Sequence, residues 1–585
     1  MTEQPLVPKP KKKPKWYWNV LSCVALLWLL GGLNTLLLQD IPLLLFLLGV
    51  GFALIYPSLT WFPGREELKG EPLMSRRRLW AGLGGMAWVM FVLAVTFALL
   101  LFVIPPFAIS PQTTYLTEPL ATEFYGIDYQ SVIEQQLDPG VPPEANGFRL
   151  LTETFGRPFF GEKFKDEHWH RLCQYLDLPT DIEPILTFTT WRDYEQTLEP
   201  EEQEIIKTCS TERRLPFSEE AIPIVRRWLN ENDAAFDLFV VAIHKPGLSA
   251  PPLFDGMFDT VYVNDATCRE MARGLQVRVR YRLSVDEIDK AWDDVLALYR
   301  IGEQHRRGVW NVMSSLIRGG ITERANLSAE SVMLHSDWTA VEIRRKVEKI
   351  MPFQQPLREE EIRYILRHER LTALYSLTHM ANGTHGFNVL SSSDEQCCPR
   401  PGADSWFEKI NMYLLVRTGI IMEIVNQRFD ELEQWYFSDD MELVYEDPIG
   451  DKYYFLKKFF WYGHFGVAQR LMSPILIDML CPAVEAWRTA NKRQEAEVSL
   501  LRLVFALEAH HRDNDGKYPE VLDDLQGRYM DEIPLDPFSG ESFRYILEDG
   551  GFLLYSVGPN GIDEEGRGYN DTPKGDDLRR RMPLR

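Results

Sequence analysis

Three apolar stretches near the N-terminus constrain this chain more than any other feature of its sequence. Residues 16–38, 41–61 and 79–104 contain no Asp, Glu, Lys or Arg. At a rise of about 1.5 Å per residue, a helix of each length can cross the roughly 30 Å hydrocarbon core of a bilayer. A cleavable signal peptide has an apolar core of only about 7–15 residues and would not be followed at once by a second stretch. The pattern therefore predicts three transmembrane helices, with the lipid bilayer as a partner.

Positive charges indicate the orientation of these helices. Five lysines lie between residues 9 and 15, and five further basic residues lie at 65–78, between the second and third stretches. Because basic flanks stay on the cytoplasmic side, the N-terminus is predicted to be cytoplasmic and the part after residue 105 extracytoplasmic. The expected location is the inner cell membrane, in a multi-pass arrangement. An alternative makes the first two stretches a re-entrant hairpin, and the third would still export the remainder.

The charge balance limits the partners of the exported part. The chain has 63 basic and 85 acidic residues, a net charge of −22 at pH 7, and the basic flanks leave the remainder more acidic still. Such a surface disfavours nucleic acid and suits the binding of cations. Six cysteines lie after residue 105. A disulfide is permitted there, buried free thiols are the alternative, and the sequence does not give a pairing.

Composition and periodicity divide the chain into five segments. We predict a basic cytoplasmic N-terminus, three transmembrane helices, a membrane-proximal connector, an α-helical extracytoplasmic domain and a small α+β module. These segments span residues 1–15, 16–104, 105–147, 148–494 and 495–585. The predicted fold class is a membrane protein, mainly α, whose C-terminal module carries a short antiparallel sheet.

Helix signals recur throughout the predicted helical domain. Thr339 to Glu342 has the Thr-x-x-Glu form of a capping box, and Ser284 to Glu287 has the equivalent Ser-x-x-Glu form. Further amphipathic stretches predict helices at 217–241, 265–283, 359–380, 406–435 and 467–491. These elements favour an antiparallel helical domain. Stacked tetratricopeptide-like hairpins are the alternative, although their small-residue pattern does not recur at a fixed period.

The C-terminal module has a different pattern. A helix predicted at 495–511 ends at the turn sequence of residues 513–516. Two short strands, 543–547 and 551–557, flank an Asp-Gly-Gly turn that supplies positive-φ positions, which predicts a β-hairpin. Residues 558–577 are rich in Gly, Asn and Asp and are predicted to form a loop.

The order of these motifs resembles the periplasmic domain of the type II secretion major pseudopilins. In that family a helix leads through a turn like Asp513 to Pro519. An element like Ile533 to Gly540 and a loop like Tyr555 to Gly561 follow. The resemblance covers the C-terminal module and implies a small α+β domain whose loop holds a calcium ion. Pseudopilins begin with a leader and one apolar helix, so the three apolar stretches here argue against a processed pilus subunit.

A second resemblance extends over most of the exported part. The chain is similar to a family of uncharacterised membrane-anchored proteins of planctomycete type, which share segments like 140–146, 291–298, 534–540 and 554–561. This resemblance implies membrane anchoring and carries no particular activity.

The tail loop offers the oxygen ligands that calcium prefers. Calcium takes about six to eight oxygens from carboxylates, carbonyls and water. The candidate ligands are Ser556, Asn560, Asp563, Asp576 and Asp577, with Asn560 where the pseudopilins usually have Asp. Further oxygen donors on the same segment are Glu564, Glu565, Asn570 and Asp571. The predicted role is a structural calcium ion that orders the loop, and the alternative is a solvated acidic loop.

Recognisable catalytic motifs are missing from the sequence. It contains no Gly-x-Ser-x-Gly, no Ser-x-x-Lys and no nucleotide-binding glycine loop, and the zinc-protease-like start at His368-Glu369 lacks its second His. We therefore expect a non-enzymatic, membrane-anchored scaffold or interaction protein of the cell envelope. Its partner would be an envelope protein, and no small-molecule substrate is assigned. The alternatives are an envelope hydrolase whose site is assembled from distant residues, and an accessory subunit of a secretion or transport complex.

Overall fold

Helices account for most of the residues that the structure describes. The computed structural model describes residues 107–123, 125–137, 140–161, 164–211, 215–254, 260–261, 263–307, 311–382, 418–438, 484–548 and 550–583. The chain divides into two compact units, and nearly all of these residues belong to the unit formed by 109–399, 419–445 and 474–585. Only residues 107, 108 and 418 of the other unit are described.

Thirteen α-helices and five short strands lie in the described ranges. Helices α1–α6 are Tyr129–Leu137, Gly147–Phe155, Asp166–Tyr175, Trp191–Thr197, Pro200–Thr211 and Ile222–Ile243. Helices α7–α13 are Val263–Ser284, Ile288–Arg307, Val312–Leu334, Ala340–Ile350, Glu359–Ala381, Thr418–Tyr436 and Val484–Asp513. Strands β1–β5 are Leu253–Phe254, Thr260–Val261, Arg544–Glu548, Gly551–Ser556 and Leu578–Met582.

The described residues contain no helix that is both long and apolar enough to cross a membrane. The predicted fold class, a membrane protein with three transmembrane helices, is therefore corrected to a mainly helical chain with a small three-stranded antiparallel sheet. The same finding contradicts the predicted multi-pass arrangement and the predicted inner-membrane location. The long described helices carry buried charges, such as Arg278 in α7 and Glu330 in α9, which membrane spans rarely tolerate. The stretches 16–38, 41–61 and 79–104 lie outside the described residues.

Several helices predicted from amphipathic patterns are confirmed. Helices α6, α7 and α11 match the stretches predicted at 217–241, 265–283 and 359–380. Of the two remaining stretches, residues 406–417 and 467–483 lie outside the described residues. Helix α13 continues without a break through residue 495, where the sequence suggested that a new helix begins.

The capping-box motif predicts the start of one helix correctly and the start of another wrongly. Thr339 and Glu342 form the predicted capping box of α10, because each side chain accepts a hydrogen bond from the backbone amide of the other. The equivalent prediction at Ser284 is wrong. Helix α7 runs through Ser284, whose hydroxyl donates to the carbonyl of Arg280, and α8 begins only at Ile288. The same hydroxyl also accepts a hydrogen bond from the backbone amide of Phe217 at 2.7 Å, and this bond joins segments that are distant in sequence.

The hydrophobic core is built around helices α7, α8 and α9, which pack against one another in sequence. Helix α6 approaches α7 closely at Gly274, where a Cβ atom would lie 2.8 Å from the ring of Phe236. The same core cluster includes Phe148 of α2, Phe552 of β4 and Met582 of β5. The C-terminal strands and the helical body therefore share one buried apolar cluster.

The C-terminal sheet has the strand order β3-β4-β5, with both pairs antiparallel. Strands β3 and β4 confirm the predicted hairpin. Strand β5 follows the tail loop and was not predicted. Phe552 and Leu554 of β4 and Met582 of β5 are buried in the core, and both strands contact α13. The sheet is therefore held against the end of the helical body.

The described cysteines are not linked by disulfides. Cys173 and Cys268 are buried free thiols and Cys209 is a partly buried free thiol. The other cysteines after residue 105, at 397, 398 and 481, lie outside the described residues.

Candidate metal centre

The tail loop is positioned by the sheet that it connects. Residues 557–577 leave β4 and return as β5, which pairs with β4. At Gly566, which has a φ of +79°, a Cβ atom would lie 3.2 Å from a methyl carbon of Leu553 in β4. At Gly558, which has a φ of +70°, a Cβ atom would lie 2.3 Å from the carbonyl oxygen of Asp576. The two glycines allow the loop to lie on the sheet and bring its ends together.

Three carboxylate side chains converge in this loop. One oxygen each from Glu564, Asp576 and Asp577 lies within 4.8 Å of the others. Two oxygens that bind one calcium ion at about 2.4 Å can be no more than about 4.8 Å apart, so the spacing is compatible with a shared ion. Within the described ranges, no other group of three His, Cys, Asp or Glu side chains meets this spacing. We call these three residues the carboxylate cluster.

Backbone amides hold the carboxylate cluster in place but leave two of its oxygens unpaired. Asp577 Oδ2 accepts hydrogen bonds from the amides of Glu564 at 3.2 Å and Gly566 at 2.8 Å. Asp576 Oδ2 accepts from the amide of Asn560 at 3.0 Å. The Oδ1 atoms of both aspartates are buried and find no hydrogen-bond partner in the described part of the chain. Since a buried oxygen without a partner is costly, a cation bound there would stabilise the loop.

Burial and mutual repulsion set the protonation of the carboxylate cluster. Burial raises the pKa of Asp577 to about 6 and raises the pKa of Asp576 as well, and the nearby Glu564 carboxylate acts in the same direction. Hydrogen bonds, first that from the Asn560 side chain, lower the pKa of Glu564. Ionisation of both aspartates is therefore less favourable here than in water, and a bound cation would offset that cost.

The five candidate ligands from the sequence lie in different environments. Asp576 and Asp577 belong to the carboxylate cluster, and Asn560 lies beside it, donating from its side chain to Glu564 at 2.7 Å. The Ser556 hydroxyl is buried and donates to Asp536 Oδ1 at 2.8 Å. Asp563 accepts hydrogen bonds from the Tyr555 hydroxyl and the Glu565 amide, both at 3.0 Å. The structure thus brings together three of the five.

Glu564 completes the cluster although it was only a further oxygen donor in the sequence. The signal that could have selected it is the pair of glycines around it, because Gly558 and Gly566 close the loop. Asp571, another donor on the same segment, is instead paired with Arg579 of β5. That ion pair removes it from the set of available ligands.

A second charged group, which lies shortly after the carboxylate cluster in sequence, was not predicted from the sequence. Arg580 of β5 is 3% exposed, and its Nε lies 3.0 Å from an oxygen of Glu330 in α9, which is fully buried. Its guanidinium also donates to Glu497 of α13. Burial alone would lower the pKa of Arg580, but the carboxylates of Glu497 and Glu330 outweigh it and raise the pKa. Arg580 therefore fixes the last strand to two helices of the core.

A buried Ser, His and Asp group in the helical body does not have the arrangement of a catalytic triad. Asp265 accepts from Ser314 Oγ at 2.7 Å and lies 2.8 Å from His305 Nε2. In a triad the histidine lies between serine and aspartate, so that it can take the serine proton. Here the aspartate takes the middle position, and the three residues are at most 7% exposed. The group is a buried polar contact between α7, α8 and α9.

A cavity of about 710 Å³ is lined by residues of α8 and α11, among others. Its wall includes Glu361, which forms an ion pair with Arg306 at 2.8 Å and accepts from the amide of Arg358. Although burial opposes the effect, these contacts lower the pKa of Glu361 to about 2. Burial raises the pKa of Tyr364 in the same wall to about 12. Neither group changes its protonation near neutral pH, as a general acid or base must.

Comparisons with known proteins do not indicate a function, so the functional interpretation depends on the geometry of the site. The chain matches no protein-family model, no curated protein and no solved structure. The carboxylate cluster is therefore the candidate site on which a functional argument can be built.

Proposed function

We propose that this chain is a non-enzymatic scaffold or interaction protein whose C-terminal module binds a structural calcium ion at the carboxylate cluster. The observation that carries the proposal is the pair of buried aspartate Oδ1 atoms, which find no partner within the described ranges and lie in a group of three converging acids. A divalent cation there would supply the missing partner and neutralise the repulsion.

The donor set favours calcium over a transition metal. The three side chains offer only carboxylate oxygen, which is the ligand of hard cations, whereas zinc and copper sites usually contain His or Cys. Calcium also tolerates the irregular geometry that a loop provides, while magnesium demands a near-ideal octahedron. The ion would connect Glu564 in the middle of the loop to Asp576 and Asp577 at its end.

The helical body supports a scaffolding role through the way its charges are used. Arg278 of α7 is bound to Asp294 of α8 with both side chains almost fully buried, and Arg580 is bound to Glu330. In the wall of the cavity, Glu361 likewise forms an ion pair with Arg306. These pairs join one element to another and would help to hold the helical body in one arrangement, which a scaffold requires.

Thermal unfolding of the full-length protein tests the calcium site. We expect calcium to raise the melting temperature relative to chelator, because an ion that binds only the folded state stabilises it by mass action, by about 2.7 kcal/mol at 100 times its dissociation constant. Asp577→Asn should abolish the rise. Glu565→Gln is the matched control, since Glu565 lies in the same loop with its side chain 85% exposed. An equal rise in wild type and Asp577→Asn would contradict the proposal.

The interaction role needs its own test. The full-length protein, extracted gently from its native cells, should retain a defined protein partner or a defined oligomeric mass. A monomer that retains no partner under these conditions would contradict the scaffold proposal and leave the calcium site unaffected.

A further inference from the structure

The carboxylate cluster is directly connected to the segment that docks on the helical body. Asp577 is followed at once by β5, Leu578–Met582, and Arg580 is three residues further on. A strand advances about 3.3 Å per residue, so the backbones of Asp577 and Arg580 are about 10 Å apart along one extended segment. A shift of the cluster end of this segment therefore moves Arg580.

Strand β5 places two side chains, Arg580 and Met582, in the buried interior. In the described sheet, β5 is an edge strand that pairs with β4 alone. Its buried charge, Arg580, reaches Glu330 of α9 and Glu497 of α13, which are 250 and 83 residues away in sequence. Displacement of the arginine from this position would break its ion pair with the fully buried Glu330 carboxylate. The contact of Arg580 with α9 and α13, which we call the docked position of β5, therefore depends on where β5 lies along β4.

At residues 576 and 577, a bound cation would replace repulsion between the carboxylates by attraction of each carboxylate to the cation. Without a cation, three carboxylates lie close together, and the 4% exposed Asp577 has an oxygen that is unpartnered in the described part of the chain. With a divalent cation, the same side chains are drawn to one centre. The ion would therefore hold residues 576 and 577 in the position from which β5 reaches α9 and α13.

We infer that the carboxylate cluster and the Arg580 contact form one cation-dependent latch, in which calcium binding favours the docked position of β5 and calcium loss releases it. This inference rests on the proposed function, because it requires the cluster to bind calcium. By thermodynamic reciprocity, docking of Arg580 must also strengthen calcium binding by the same factor.

Hydrogen exchange of the full-length protein, with peptides resolved by mass spectrometry, tests the latch. Chelation should increase exchange across residues 578–582 in wild type and in the Glu565→Gln control, while in Asp577→Asn exchange should be high with or without calcium. Glu497→Gln removes the negative charge of one acceptor of Arg580 and keeps Glu330, so the protein should fold. We expect this variant to bind calcium about fivefold more weakly or worse. Glu495→Gln, an exposed acid two residues away on α13, should bind calcium as wild type does.

The outcomes separate the latch from the calcium site itself. If calcium binds to wild type but leaves exchange of residues 578–582 unchanged, and Glu497→Gln binds it with unchanged affinity, the latch is wrong and the proposed calcium site stands. If wild type binds no calcium at millimolar concentration, both are wrong.

Discussion

Replacement of Arg580 by methionine tests whether the last strand is fixed to the helical body by a buried ion pair. The guanidinium is 3% exposed and lies 3.0 Å from the fully buried Glu330, and it also contacts Glu497, whose side chain is 20% exposed. Methionine keeps an apolar stem of similar length but removes the charge. Glu330 then loses this ion pair while it stays buried, whereas Glu497 can recover water.

The expected cost follows from this difference in burial. Removing one partner of a buried ion pair costs about 3–5 kcal/mol, and removing one partner of an exposed pair costs about 0–1 kcal/mol. Arg580→Met should therefore lower the free energy of unfolding by about 3–5 kcal/mol, almost all of it from Glu330. Arg581→Met is the matched control, because the neighbouring Arg581 is 43% exposed and pairs with Glu548 at the surface.

The assay is urea unfolding of the full-length variants in excess calcium, followed by tryptophan fluorescence. A second variant checks the cause: Arg580→Met combined with Glu330→Leu removes both members of the buried pair and should recover much of the lost stability, since an apolar replacement of a buried ion pair is often neutral. If Arg580→Met and Arg581→Met differ by less than about 1 kcal/mol, the buried pair does not fix the strand. If the double variant recovers nothing, the loss has another cause.

Three further predictions follow from the same structure. The folded pKa of Asp577, about 6, is above its usual value of 3.8, so the metal-free protein loses stability as pH rises through 6, and the calcium-induced rise in melting temperature should be larger at pH 7.5 than at pH 5. Burial raises the pKa of Glu369, which accepts from the amide of Val312, to about 7. Stability from this group is complete below about pH 4.5 and lost as pH rises through 7, so urea unfolding should show that Glu369→Gln is more stable than wild type at pH 8, on the order of 1–3 kcal/mol, and similar at pH 4.5. Gly558→Ala should cost about 1–3 kcal/mol and weaken calcium binding in a titration, because its Cβ would lie 2.3 Å from the carbonyl of Asp576.

The elements that the sequence predicts correctly are those decided by neighbouring residues. The capping box of α10 is a contact between Thr339 and Glu342, three positions apart. The β3-β4 hairpin depends on the short connection between the two strands, where Gly550 has a φ of +74°. In both cases the physical cause lies within one short window, so the pattern is sufficient.

Helix α9 was not predicted because it lacks a simple apolar face. Its buried positions include polar and charged side chains, among them Ser314, Arg318, Asn326 and Glu330. An amphipathic pattern assumes that buried positions are apolar, and α9 breaks that assumption because its polar groups are paired with distant elements. Ser314, for example, is bound to Asp265 of α7.

In the candidate site too, the residues set by local sequence could be predicted and those set by distant contacts could not. The adjacent Asp576 and Asp577 could be selected from the sequence because a flexible acidic loop is a local feature. Glu564 could have been selected only through the glycines that close the loop. Arg580 could not be selected, since its role depends on partners up to 250 residues away in sequence. The resemblance to pseudopilins and to the planctomycete-type family stays a prediction.

Direct titration of the full-length protein with calcium tests the metal site in the tail loop. We expect one calcium ion per chain in wild type and in Glu565→Gln, with a dissociation constant below about 1 mM, and no binding in Asp577→Asn. Equal binding in wild type and Asp577→Asn, or none in wild type, would contradict it.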